Sequence, residues 1–192
     1  MTYELAEAAI ALSSERGFAL RLAEKTMLRG WALVEQGRGE AGIVQIRQGL
    51  AAHRATGAET SRAYIGMLAE ACGKVGETEE GLRLVAEALT NRRAESQREV
   101  EFYRLKGTLL LMLAGEHHAE AETCFRQALE MARRQQAKSL ELRAAMSLAR
   151  LWQQQGKRTE AYALLAPVYS WFTEGFNTAD LQEAKALLAE LS

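Results

Sequence analysis

The side chains that could do chemistry are few, and their spacing does not serve it. The 192-residue chain has two thiols, Cys72 and Cys124, and three imidazoles, His53, His117 and His118. Adjacent residues on a helix point about 100° apart, so His117 and His118 do not chelate one ion as an i, i+4 pair would. Neither cysteine has a histidine at a spacing that suggests a nucleophile and its base. No Gly-x-Ser-x-Gly elbow and no Gly-x-x-x-x-Gly-Lys-Ser/Thr loop occurs. The cysteines read as small apolar side chains on helical stripes. His117-His118 read as solvent-facing turn residues, and His53 as a surface residue. The expectation is a chain with no catalytic residue, no cofactor and no metal. A different pattern is more suggestive. Arg143, Met146 and Arg150 fall at i, i+3 and i+7, on one face of a helix. Arginine grips a carboxylate through two parallel donors and methionine adapts to apolar shapes. Such a face suits an acidic and apolar peptide, provided long helices hold it.

The composition supplies those helices. There are 34 Ala and 27 Leu against six Val, four Ile and one Pro. Ala and Leu are the strongest helix formers, whereas sheets draw on β-branched residues. With 48% hydrophobic residues the chain can bury a core. Its formal charge of -1 and pI near 6.4 argue against nucleic acid or an acidic membrane as partner. No apolar run reaches the ~18 residues that span a bilayer. Met1-Thr2-Tyr3-Glu4 lacks the basic-then-apolar pattern of a secretory signal. Two cysteines make no disulfide framework. A cytoplasmic all-α protein is expected.

The helices come in copies. Gln36-Gly37-Arg38, Val75-Gly76-Glu77, Ala114-Gly115-Glu116 and Gln155-Gly156-Lys157 set glycines 39, 39 and 41 residues apart. A small residue precedes each, at Gly30, Ala69, Gly107 and Ala149, and another follows, at Gly42, Gly81, Ala121 and Ala161. Further on come Gly49-Leu50, Ala88-Leu89 and Ala128-Leu129, with a degenerate fourth copy at Val168-Tyr169. Each copy reads as two antiparallel helices, with glycine where the first must stop and small residues where backbones approach. Such a pair cannot bury its own apolar faces, so neighbours must stack into a solenoid. The spacing predicts helices over 3–15, 18–36, 40–56, 59–75, 78–93, 97–114, 117–136, 139–155, 157–173 and 178–191. The domain reading is one array over 1–192. It has a half-repeat at 3–15, repeats at about 18–56, 59–93, 97–136 and 139–173, and a cap at 178–191. The helix 3–15 matches the second helix of a repeat whose first is missing. That suggests a fragment, or pairing with another chain as a homodimer. Asn91-Arg92-Arg93 with Arg98, and Arg133-Arg134, read as cations at helix C-termini, offsetting the dipole. Pro167 should kink its helix or mark its edge.

Small residues at these places, the turn glycine and the Ala-Leu pair resemble the tetratricopeptide repeat (TPR). Leu68-Ala69, Gly76, Gly81 and Ala88-Leu89 and their equivalents carry that resemblance. The period is long, since the usual TPR has ~34 residues. The surplus lies after the Ala-Leu pair, so the outer helices should be about a turn longer than standard. HEAT-type repeats share the length but none of the landmarks. From Ala137 to Leu191 the chain is similar to the C-terminal ends of large bacterial signalling proteins. In these, a cyclase or DNA-binding domain and a signalling ATPase precede a long-period TPR array. The resemblance implies a non-catalytic α-α superhelix that acts as a sensor or docking region, with upstream ATPase or cyclase domains among its partners. An inducer receptor or a self-association module is the alternative. It also implies a concave groove lined by the first helix of each repeat. Counted from the small residue of each copy, the groove candidates are Met27 and Trp31, then Glu70 and Lys74. The third copy gives Arg104, Thr108 and Met112, and the fourth Arg143, Met146, Arg150 and Gln154.

Overall fold

The computed structural model describes residues 2–15, 17–58, 62–90 and 97–192. Among these are ten α-helices and no strand. They are α1 (Thr2–Glu15), α2 (Ala19–Glu35), α3 (Gly39–Ala55), α4 (Arg62–Lys74) and α5 (Thr78–Thr90). Then come α6 (Gln97–Met112), α7 (His118–Arg134), α8 (Lys138–Gln154), α9 (Arg158–Ser170) and α10 (Ala179–Leu191). Helix ends whose expected positions lie among the described residues fall within three residues of them; the start expected at 59 and the end expected at 93 lie outside the described residues. The helices form two compact units, residues 1–91 and 92–192.

In the first unit α2 pairs with α3 and α4 with α5; α1 packs on α2, and α4 also touches α2 and α3. In the second, α6 pairs with α7 and α8 with α9, while α10 lies on α8 and α9. Each hairpin turns at its landmark glycine. Gly37, Gly76, Gly115 and Gly156 have φ of +79°, +87°, +117° and +79°, the left-handed region where side chains are strained. Within the first hairpin the backbones touch. A Cβ added at Gly30 would stand 2.6 Å from the Gly42 carbonyl oxygen. In the third, a Cβ at Gly107 would stand 2.5 Å from the Phe125 ring. Longer outer helices occur in α3 and α7, with 17 residues each, whereas α9 has 13; the described part of α5 ends at Thr90. Pro167 lies inside α9, which continues to Ser170.

The apolar stripes meet between the helices. Leu33, Ile43, Ile46 and Val85 are sealed in the first unit, and Leu109, Phe125, Leu148 and Leu165 in the second. Burial of each such side chain stabilises the fold by about 1.5–3 kcal/mol. Both cysteines are buried. Burial, and then the nearby Glu77 carboxylate, push the Cys72 thiol up to about 11. Three readings need correction or limits. His53 is 4% exposed and meets the Tyr64 ring edge-on at 5.6 Å, because it continues the buried stripe Ile46, Gly49, His53. Arg98 lies in the first turn of α6, not at a helix C-terminus. Asn91, Arg92 and Arg93 lie outside the described residues.

Candidate partner-binding surface

Two of the candidate residues turn inward. Met27 is 0% exposed and Met146 is 3% exposed. Each lies three residues before the small residue of its helix, hence on the same face, which the second helix of the hairpin covers. Met27 accordingly fills the space beside Gly49, where an added Cβ would meet its Cγ at 2.5 Å. Neither methionine can present itself to a partner.

In the first unit the sequence candidates from two copies meet. Lys74 of α4 places Nζ 4.6 Å from the centre of the Trp31 ring on α2. The same ammonium hydrogen-bonds Glu35 of α2 and stands 3.5 Å from Glu70. Burial alone would lower the Lys74 pKa, but the bond to Glu35 and the charge of Glu70 outweigh it and raise it. Trp31, Glu35, Glu70 and Lys74 thus form one surface cluster, with Trp31 and Glu70 partly buried and Glu35 and Lys74 exposed: an aromatic ring under a cation flanked by two carboxylates.

In the second unit the arginines of α8 already have partners. Arg143 donates from Nε to Oδ2 of Asp180 on α10 at 2.7 Å and lies 3.8 Å from Glu101 on α6. Arg150 donates to Glu183 of α10 at 2.9 Å, and Gln153 donates to Glu190 at 3.1 Å. Arg104 is held by Glu101 of its own helix. The Thr108 hydroxyl donates to the Arg104 carbonyl. Met112 is half exposed and Gln154 is exposed. The sequence reading missed the acidic residues of α10. Asp180, Glu183 and Glu190 follow Arg143, Arg150 and Gln153 by 37, 33 and 37 residues, intervals that match neither each other nor the 39–41-residue period, so the sequence carried no signal for the pairing. These pairs are well solvated, with side chains 32–56% exposed, so each contributes about 0–1 kcal/mol. Their effect is on charge: the face that looks basic in sequence is largely neutralised.

Two open clefts lie in the first unit. One, of about 460 Å3, is lined by the α2–α3 turn (Gly37, Arg38, Gly39, Glu40) with Lys74 and Val75. The other, of about 340 Å3, has Leu50, Ile65, Leu68 and Leu84 beneath a rim of Arg47, Arg54, Glu80, Arg83 and Glu87. Among the described residues no group of three His, Cys, Asp or Glu side chains could hold a metal ion. No helix among them is long and apolar enough to cross a membrane.

Consecutive antiparallel hairpins turned by glycine, with first helices packed on first helices, make this an all-α, TPR-like helical repeat. Solved structures agree. The crystal structure of BtubC (BKLC) from P. vanneervenii matches with a TM-score of 0.71 at 14% identity, over 99% of this chain and 88% of that one. The nearly identical TPR-like repeats of a putative kinesin light chain from Podosopora anserina match at 0.65 and 18%, over 90% and 86%. A single-substitution form of those repeats matches at 0.63 and 18%, over 88% and 84%. No family model and no curated protein matches the chain. What the likeness carries is the fold.

Proposed function

We propose that the chain is a non-catalytic module that binds a protein or peptide through the outward faces of its first helices, α2, α4, α6 and α8. The Trp31 cluster carries this reading. An indole ring partly open to solvent, with a cation over it and carboxylates beside it, has the makings of a binding hot spot. The partly open Met112 adds an adaptable apolar contact in the second unit. The partner suited to these faces is a peptide with mixed apolar and charged side chains. Its acidic residues would compete with Asp180 and Glu183 for the α8 arginines. The likeness of residues 137–191 to the C-terminal ends of bacterial signalling proteins supports a finer reading, a docking or sensing arm for upstream ATPase or cyclase domains, as one array over 1–192. A small-molecule receptor would call for an enclosed apolar pocket. The clefts here are open and rimmed with charge, so the peptide reading takes precedence.

The test is selection of displayed random peptides on the immobilised chain, followed by affinity measurement on variants. Enriched peptides should lose about tenfold or more in affinity on Trp31→Ala. Failure to enrich any peptide, or equal binding by Trp31→Ala and Met112→Ala, would refute the assignment.

A further inference from the structure

The cleft of about 340 Å3 in the first unit is walled by α3 and α5 and shares no lining residue with the Trp31 cluster. Helical spacing builds its walls. Arg47, Leu50, Ala51 and Arg54 of α3 fall at i, i+3, i+4 and i+7, and Glu80, Arg83, Leu84 and Glu87 of α5 repeat those intervals. Each wall therefore sets one leucine between charged side chains. Leu50 and Leu84, with Leu68 of α4, make an apolar floor in which each is 5–9% exposed.

The charges around that floor are unequally matched. On α5, Arg83 stands 2.7 Å from Glu80 and 3.7 Å from Glu87, so that wall is satisfied by its own carboxylates. On α3, Arg47 is held by Glu77 at 2.7 Å. Arg54 is exposed, and among the described residues no carboxylate pairs with it. It also stands in the last turn of α3, where a cation offsets the helix dipole, but that leaves its forked N–H donors open to an anion.

Spacing gives the shape of the ligand. Leu50 and Arg54 are four residues apart, about 6 Å along a helix axis. In an extended peptide, side chains two residues apart share a face and stand about 6.6 Å apart. We infer that this cleft is a second peptide site, formed by the second helices, which takes an extended segment of the pattern apolar-x-acidic. The apolar side chain lies over Leu50, Leu68 and Leu84, and the carboxylate sits on Arg54. A basic residue in the acidic place would meet Arg54 as a like charge.

Amide NMR spectra of the full chain, titrated with the end-capped peptide Gly-Leu-Ser-Glu-Gly, report where it binds. Saturable shifts should centre on residues 50–54 and on Leu68 and Leu84. The peptide Gly-Leu-Ser-Gln-Gly should bind about 3-fold to 5-fold more weakly, as befits one solvated charge-assisted contact. Arg54→Gln should weaken the Glu peptide by the same factor and leave the Gln peptide alone. Were Arg54 merely a cap for α3, that variant would lose stability and keep its affinity. Ala51→Phe, at an exposed position that lines the cleft, should block both peptides, whereas Trp31→Ala should leave both unchanged. The inference is overturned by absent saturation, by equal binding of the two peptides, or by unchanged affinity in Arg54→Gln or Ala51→Phe. Loss on Trp31→Ala overturns it as well, by giving the peptide to the first helices.

Discussion

Arg143 on α8 and Asp180 on α10 stand 37 residues apart in sequence and 2.7 Å apart in space, the guanidinium Nε donating to Oδ2. With Arg150 and Glu183 the contact repeats about two turns along α8, so α10 presents α8 with two internal carboxylates. Both pairs are solvated, and a double-mutant cycle on Arg143 and Asp180 should return about 0.2–1 kcal/mol, shrinking with salt. Asp180→Asn with Glu183→Gln should leave the melting temperature nearly unchanged and tighten binding of an acidic peptide. Weaker or equal binding by that double variant would show that the arginines serve α10 alone.

Gly30→Ala should cost stability although alanine is the better helix former. Propensity favours alanine by about 1 kcal/mol. The new methyl would stand 2.6 Å from the Gly42 carbonyl oxygen and 2.9 Å from the Ile46 nitrogen, both backbone atoms that move only with their helix. Overpacking of this kind costs about 1–3 kcal/mol and should win, which urea unfolding measures.

Glu141 gives the fold an acid limit. Its carboxyl is 4% exposed and accepts bonds from Arg133 at 2.9 Å and Lys138 at 2.7 Å. Burial pushes its pKa up, but the bonds from Lys138 and Arg133 outweigh that and hold it below the ordinary 4.5. A depressed folded-state pKa contributes stability above the unfolded value and loses it as pH falls through the folded one. Glu141→Gln should cost about 1–2 kcal/mol at neutral pH. Unfolding curves of parent and variant should converge as pH drops below that of an ordinary carboxylate.

Gln136 is the described non-glycine residue with left-handed backbone, φ +54°, in the α7–α8 turn. Turns before other first helices have glycine there, at Gly17 and Gly57. Left-handed backbone costs a side-chain-bearing residue about 1–2 kcal/mol, partly offset by glycine's freer unfolded chain. Gln136→Gly should therefore stabilise by about 0.5–1 kcal/mol in thermal or urea unfolding.

Cys72 and Cys124 should resist a thiol reagent in the native protein and react once it is unfolded. Both are buried, burial raises both pKa values, and Cys72 at about 11 is almost wholly thiol at neutral pH. Rapid stoichiometric labelling of the folded chain would contradict this.

Helices and turns were legible because their causes are local. Gly37, Gly76, Gly115 and Gly156 are demanded by the backbone angle itself, and alanine-leucine stripes declare their faces. The surface was half legible. Trp31 and Lys74 were named as candidates separately, but their meeting depends on the stagger of α4 against α2, which no single helix encodes. Met27 and Met146 were misplaced because the i−3 position shares the face of the small residue it was counted from. His53 belonged to a stripe that its polarity disguised. The partners of Arg143 and Arg150 lay 37 and 33 residues downstream, where only tertiary packing makes a sequence interval into a contact.

Each described helix packs only against helices one or two places away along the chain. That locality has a genetic consequence. Within either unit, unequal crossing-over that duplicates or deletes one 39–41-residue period would disturb only the contacts at its junctions. The Arg143–Asp180 type of pairing limits that freedom, because a transplanted copy meets a charge-matched neighbour only if the adjoining copy keeps the opposite sign in register.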